Sequence, residues 1–187
     1  MKGAFAVWLT GLPASGKSTI ARELTAALVK AGVTPEVLES DALRRVLTPD
    51  ATYAPAERAL FYRALAFYGS RLVAHGIPVI FDATANRRHY RDFARELIPR
   101  FFEVAIVTPL NVCEERDYKG TYRKGREEKT ATVPGLQDPY EAPLKPEVVV
   151  DTTLLSACSA TQQIMDSLRE HGILLSGKSA DECQTNA

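Results

Sequence analysis

The chain has 187 residues, 45% of them hydrophobic and 25% charged, which suits one domain with a full hydrophobic core. Lysine plus arginine and aspartate plus glutamate number 23 each, so no global field favours long nucleic acid or a membrane surface, and any anion must be held by locally placed cations. No run reaches the ~18 apolar residues that span a bilayer, and the N-terminus lacks a signal-peptide pattern, so the cytoplasm is the expected compartment. Cys113, Cys158 and Cys183 are odd in number and widely spaced; they read as free thiols, not as a disulfide framework or zinc site.

Residues 4–10 are an apolar run of strand length. Behind them stands Gly11-Leu12-Pro13-Ala14-Ser15-Gly16-Lys17-Ser18-Thr19, which fits the pattern GxxxxGK[ST], and then Ile20, Leu24, Ala27 and Leu28 recur at helical spacing to residue 31. Strand, glycine-rich turn and helix in this order are the setting of a phosphate loop. Its backbone N–H groups and the helix N-terminus face a polyphosphate. Lys17 then places a point charge at the β- and γ-phosphates of ATP, and the Ser18 hydroxyl is a ligand for Mg²⁺.

Gly32 stops the helix, and residues 34–38 read as a second strand. The cluster Glu39-Ser40-Asp41-Ala42-Leu43-Arg44-Arg45 follows at once, on the sheet edge where open α/β folds bind ligands and where the phosphate loop lies. Asp41 reads both as a functional carboxylate and as the N-cap of a short helix over 42–47. After a turn-rich loop, 56–75 is helical, with Leu60, Phe61, Leu65, Phe67 and Leu72 as expected core contacts; Arg58 and Arg63 in its first half are of a kind usually solvated. Residues 77–84 form a third strand with Asp82 at its tip, either a Walker-B-like metal ligand or the acidic end of a buried strand.

Arg87, Arg91 and Arg95 share one face of a helix running to about residue 98; a solvated basic face is the default reading and a phosphate-binding first turn the sharper one. Residues 102–108 make a fourth strand, and the next helix carries Cys113 and Arg116. The run 116–126 is dense in cations and poor in core residues, as in a mobile lid over phosphates or a disordered basic loop. Residues 127–134 return from it. Residues 148–151 give a fifth strand and 155–168 a closing helix, so the fold expected over 1–175 is an α/β P-loop NTPase, nucleotide-kinase-like, with a mostly parallel five-stranded sheet flanked by helices. The polar tail 176–187 reads as frayed.

From about Val7 to Leu168 the chain resembles the adenylylsulfate (APS) kinase family of P-loop kinases. The resemblance rests on the phosphate loop, on Glu39-Ser40-Asp41-Ala42-Leu43-Arg44 where the family has DGDxxR, and on the unbroken run from Pro109-Leu110-Asn111-Val112-Cys113-Glu114-Glu115-Arg116-Asp117-Tyr118-Lys119-Gly120 through Gly135-Leu136-Gln137-Asp138-Pro139-Tyr140-Glu141-Ala142-Pro143. It implies transfer of the γ-phosphate of ATP to the 3′-hydroxyl of adenosine 5′-phosphosulfate. In that scheme Asp41 lies at the acceptor hydroxyl and Mg²⁺, and Arg44 and Arg58 grip the phosphosulfate. Tyr53 supplies one face for the acceptor's adenine, Arg116 lies near the ATP base, and Lys119 reaches the phosphates from a lid over 117–134.

Four departures accompany the match. Glu39-Ser40 replaces Asp-Gly, Val133 replaces the aromatic that stacks on the acceptor's adenine, Leu60-Phe61-Tyr62-Arg63-Ala64 replaces ENxRR, and Asp82-Ala83-Thr84-Ala85-Asn86-Arg87 replaces ISPxxxxR. The last resembles instead a DATN segment of polynucleotide-kinase-like P-loop proteins. A kinase of the same fold for another nucleotide, nucleic-acid end or small-metabolite hydroxyl is therefore the alternative, and a non-catalytic nucleotide-binding regulator a third reading. The expected partners are small nucleotides, with no long nucleic acid and no membrane; a homodimer is compatible with the sequence.

Overall fold

The structure, a computed structural model, describes residues 3–127 and 132–175. Five strands, β1 (Ala6–Thr10), β2 (Glu36–Glu39), β3 (Val79–Asp82), β4 (Phe101–Val107) and β5 (Val148–Asp151), form one parallel sheet in the order β2-β3-β1-β4-β5. Helices α1 (Lys17–Lys30), α2 (Ser40–Leu47), α3 (Pro55–Ala74), α4 (Arg88–Leu97), α5 (Leu110–Glu115), α6 (Thr121–Arg126) and α7 (Ala157–Glu170) connect and cover it. Because every strand runs the same way, all five C-terminal ends open on one edge, where the loops after β1 and β2 meet. No helix among the described residues is long and apolar enough to cross a membrane.

Burial of β1 on both faces explains its unbroken apolar sequence. Its side chains alternate: Val7 and Leu9 join the core under α1 and α7, whereas Ala6 and Trp8 join the core under α3 and α4. Trp8 stacks on Phe81 at 4.4 Å between ring centroids, and its indole N–H donates to the Ala83 carbonyl at 2.9 Å. That bond ties the central strand to the turn after β3.

Helix α3 corrects the expected core contacts. Phe61 and Leu65 are buried as anticipated, but Leu60 is 70% and Phe67 58% exposed, while Tyr62, Ala66 and Gly69 face inward. The helix is apolar on both sides, so periodicity alone could not choose its rotation. Close approach at Gly69 chooses it, because a Cβ there would lie 2.2 Å from Phe81 Cζ.

The basic face of α4 is engaged by carboxylates, with Arg91 buried and Arg87 and Arg95 partly exposed. Arg91, 1% exposed, donates to Glu103 Oε1 at 2.6 Å, to the Glu141 carbonyl at 2.6 Å and to the Ala85 carbonyl. Arg95 pairs with Glu147 at 2.5 Å and Glu103 at 3.3 Å, and Arg87 with Asp138 at 2.8 Å and Glu141 at 3.3 Å. The carboxylates come from outside the helix, from β4 and from the segment before β5, which is why helical spacing read in isolation suggested open solvent. One further reading changes. Cys113 is free and buried, but Cys158 is disulfide-bonded, so it is not a free thiol. The middle of the 127–134 return and the 176–187 tail, with Cys183, lie outside the described residues.

Removing one partner of a buried ion pair strands the other. Arg91→Ala is expected to lower unfolding free energy by about 3–5 kcal/mol, against under about 1 kcal/mol for Arg88→Ala, whose 3.7 Å pair with Glu141 is partly exposed. Urea denaturation of both variants checks the contrast.

Candidate active site

The loop from Gly11 to Gly16 is shaped by close approach. Gly16 ends it in the left-handed region at φ 98°, and a Cβ on Gly11 would lie 2.5 Å from the Ile106 carbonyl oxygen, so that position has room only for glycine. Ser15, fully buried, offers its carbonyl to the hydroxyls of Thr108 at 3.3 Å and Thr152 at 3.1 Å. Those threonines stand just beyond β4 and β5, so two strand ends brace the loop. From below, Tyr122 of α6 donates its hydroxyl to the Pro13 carbonyl at 3.1 Å and is buried with Cys113 and Val133 against Leu12 and Ala14. The run 116–126 thus carries a core residue after all, while Arg116, Lys119 and Lys124 line the cleft.

Lys17 opens α1, and its ammonium turns back onto the loop carbonyls of Gly11 at 3.1 Å and Leu12 at 2.7 Å. Burial lowers its pKa to about 8, against the pull of Asp82 and Asp41 in the other direction. Ser18 and Thr19 stand exposed beside it.

Beyond β2 the chain enters α2 directly. Glu39 is the N-cap without a side-chain capping bond, and Asp41 lies in the first turn, so the N-cap reading of Asp41 does not hold. Its carboxylate instead receives Lys119 Nζ at 2.7 Å, joining α2 to the turn before α6. Partial burial works against the Lys119 charge, but the bond to Asp41 prevails and holds the ammonium above its usual range.

Arg44, one turn further along α2, is buried on an aromatic bed. Its Cζ is 3.8 Å from the Phe61 ring centroid and 5.0 Å from that of Tyr53, a cation–π seat. Nη1 meets Glu57 at 3.3 Å, while Nη2 has no hydrogen-bond partner among the described residues. A buried guanidinium with an open donor is a ready receptor for an anion. Arg58 reaches the same corner from α3. Its Cζ is 5.3 Å from the Tyr53 ring, and it donates to the carbonyls of Tyr53 at 3.0 Å and of Thr132.

Arg116, at the end of α5, grips Thr152 through its carbonyl at 3.0 Å and hydroxyl at 2.9 Å, beside Leu155 and Ala157. One cleft of about 940 Å³ takes in Pro13, Ala14, Gly16, Lys17, Ser18, Thr19, Asp41, Arg44, Tyr53, Arg58, Arg116 and Lys119. Gly11, Leu12 and Ser15 form the supporting underside of the phosphate loop. Asp82 and Glu39 line the cleft too. The structure therefore gathers the singled-out site residues in and beneath one cleft, with Lys17, Arg44 and Arg58 all among its lining.

Sequence reasoning passed over Thr152, although it follows β5 on the ligand-binding edge. It also passed over the frame beneath Arg58, where Asp138 accepts from Asn86 Nδ2 at 2.8 Å and pairs with Arg58 at 3.9 Å. The Tyr140 hydroxyl lies 3.1 Å from that of Thr10 at the end of β1. The Asp-Pro-Tyr-Glu stretch is thus a strut behind the cleft. Val133 is 3% exposed and presents no ring surface.

Comparison with known proteins shows the family. The sequence matches the adenylylsulphate kinase family over residues 3–151. It is 39% identical over 168 residues to an adenylyl-sulfate kinase of Rippkaea orientalis, covering 90% of this chain and 93% of the relative. To a probable adenylyl-sulfate kinase of Bacillus subtilis it is 32% identical over 170 residues, covering 90% and 85%. The structure of the Mycobacterium tuberculosis APS kinase in complex with AMPPNP and APS superposes with a TM-score of 0.83 at 33% identity, over 89% of this chain and 98% of that one. With its phosphate loop, its paired arginines and this similarity along most of its length, the chain belongs to the adenylylsulphate kinase family of P-loop kinases.

Proposed function

We propose that this protein transfers the γ-phosphoryl group of ATP to the 3′-hydroxyl of adenosine 5′-phosphosulfate, giving ADP and the 3′-phosphorylated nucleotide. The single observation that carries the reading is the buried, open Arg44 Nη2, which with Arg58 makes an anion seat in the same cleft as the phosphate loop. Two anionic ligands in one cleft is what a nucleotide-phosphorylating enzyme requires.

In this reading residues 11–19 hold the triphosphate and Arg116 flanks the donor base. Lys17 stabilises charge on the phosphoryl group in transit, and Lys119 approaches it from the segment covering the cleft. Asp41 orients the acceptor hydroxyl or takes its proton, with Arg44, Tyr53 and Arg58 holding the rest of the acceptor. Ser18 and Asp41 are the oxygen donors for Mg²⁺, which when bound offsets charge on the phosphates. Among the described residues no three His, Cys, Asp or Glu side chains form a metal cage. A few protein oxygens completed by substrate phosphates suit Mg²⁺, which retains water and seldom needs a full set of protein ligands. The cytoplasm is the compartment this chemistry suits. A homodimer would be read from sedimentation.

A second acceptor is favoured by one observation. Val133 lies buried against Tyr122, so a purine in the acceptor site has Tyr53 on one side and no opposing ring. Losing one stacked face costs about 1–3 kcal/mol by analogy with base stacking. Another hydroxyl-bearing anion would feel that loss less.

ADP release from Mg·ATP, with and without adenosine 5′-phosphosulfate, separates the readings. Strong stimulation and a new 3′-phosphate are expected; ATP binding without stimulation moves the assignment to the second acceptor class. Lys17→Ala and Asp41→Ala are each expected to lower turnover at least about tenfold with the fold intact, and normal turnover in a folded variant removes that residue from the mechanism.

Lys17 also gives a pH signature. Free, it loses its proton near pH 8; a bound triphosphate restores an opposite charge and raises that value. Binding then takes up protons above about pH 8 and affinity falls as pH rises, whereas well below that pH the ammonium is already charged and no uptake occurs. Calorimetry of ATP binding in buffers of different ionisation enthalpy is expected to show the uptake at pH 8.5. Lys17→Met is expected to abolish it.

A further inference from the structure

At the acceptor site the arginines do not seat themselves. Glu57, in the first turn of α3, accepts from the Thr52 N–H and the Thr52 hydroxyl, both at 2.7 Å, from the Tyr53 N–H at 3.3 Å and from Arg44 Nη1 at 3.3 Å. The Thr52 hydroxyl and main chain hold its carboxyl below the usual carboxylate range, so it stays ionised where it meets Arg44. Tyr53 has φ 56°, a left-handed conformation that a bulky residue adopts only when its surroundings impose it. Those surroundings are identifiable. Glu57 takes the N–H of Tyr53, and Arg58 Nε, from the next residue along α3, donates to its carbonyl at 3.0 Å.

The ring held this way lies near both guanidinium groups, with centroid distances of 5.0 Å to Arg44 Cζ and 5.3 Å to Arg58 Cζ. Two like charges around one ring repel, and the carboxylate of Glu57 offsets that repulsion on the Arg44 side alone. By engaging Nη1 it fixes the plane of the guanidinium on Phe61 and leaves Nη2 as the open donor. We infer that Glu57 is a positioning residue for acceptor binding: it orients Arg44 and presents Tyr53, and it acts through them. The inference rests on the reading of Arg44, Tyr53 and Arg58 as acceptor-binding groups. A helix-capping role for Glu57 makes a different forecast, since loss of a cap lowers stability without preferring one substrate over the other.

The test is steady-state kinetics of the wild type, Glu57→Ala, Glu57→Gln, Arg44→Ala and the Glu57→Ala/Arg44→Ala double variant, each with melting temperature recorded. Glu57→Ala is expected to raise KM for adenosine 5′-phosphosulfate at least about tenfold while KM for ATP stays within about twofold. In the Arg44→Ala background the same substitution is expected to act at least about threefold more weakly, because the group it orients is gone. Should Glu57→Ala not fold, Glu57→Gln, which keeps an acceptor oxygen and loses the charge, carries the same comparison of the two KM values. Equal rises in both KM values, or the same factor in both backgrounds, overturn the inference and leave the acceptor assignment standing. A wild type that does not use adenosine 5′-phosphosulfate overturns the assignment instead. The crystal structure of Glu57→Gln then decides the positioning role by itself: Tyr53 leaving positive φ or Arg44 leaving its seat upholds it, and both unmoved overturn it.

Discussion

The contact on which the rest depends is between the main chain of the phosphate loop and the ends of its neighbouring strands. Gly11 passes so close to the Ile106 carbonyl that no side chain fits, and the Ser15 carbonyl is taken by the hydroxyls of Thr108 and Thr152. The loop therefore cannot relax without moving β4 and β5. Thr152 also receives Arg116, so that arginine and the phosphate loop refer to one side chain. The sheet order makes this possible, because β4 and then β5 follow on one side of β1 and bring Thr108 and Thr152 to the same loop carbonyl.

Charge is divided between scaffold and cleft. On α4 the arginines are matched by carboxylates: Arg91 by Glu103, Arg95 by Glu147 and Arg87 by Asp138. This network pins the Asp138–Glu141 stretch behind the cleft, where Tyr140 meets Thr10 and Asp138 approaches Arg58. Inside the cleft Lys119 meets Asp41 and Arg44 meets Glu57 through Nη1, but two cationic groups are matched less fully. Lys17 has only loop oxygens around its ammonium and a lowered pKa from burial, and Arg44 keeps one open nitrogen. Buried positive charge without matched carboxylates is unfavourable for the protein alone, and an anionic ligand relieves it.

Much of the fold was legible before any coordinates. Apolar runs of strand length alternating with helical spacing gave five strands in one sheet, and the phosphate loop lay where its pattern required. Boundaries moved by a residue or two: β2 begins at Glu36, and α2 at Ser40. The misreadings share a cause. The α4 arginines, Cys158 and the outer face of α3 were judged from neighbours in sequence, whereas their surroundings come from elsewhere in the chain. Glu103 stands on the next strand and Glu147 far along the chain, yet both lie at hydrogen-bond distance from these arginines. Tyr122 looked like one residue of a basic loop because its core, Cys113 and Val133, assembles only on folding.

By itself, the sequence determined the chemistry available: a phosphate loop whose glycines permit close main-chain approach, a lysine and a serine at the start of a helix, an aspartate after β2, and arginines spaced as in one family of kinases. These are local properties, fixed by φ preference, side-chain functional group and short-range spacing. The tertiary structure alone decided which charges are spent on scaffolding and which face the cleft. It turned α3 so that Arg58 and Phe61 face Arg44, and it folded Glu57 onto the Thr52–Tyr53 turn. It also buried Val133, which the sequence already showed in place of the family's stacking aromatic. Burial and pairing depend on how the chain turns in space, and even where both partners lie within a short window, as Glu57 and Thr52 do, spacing alone does not say that they meet.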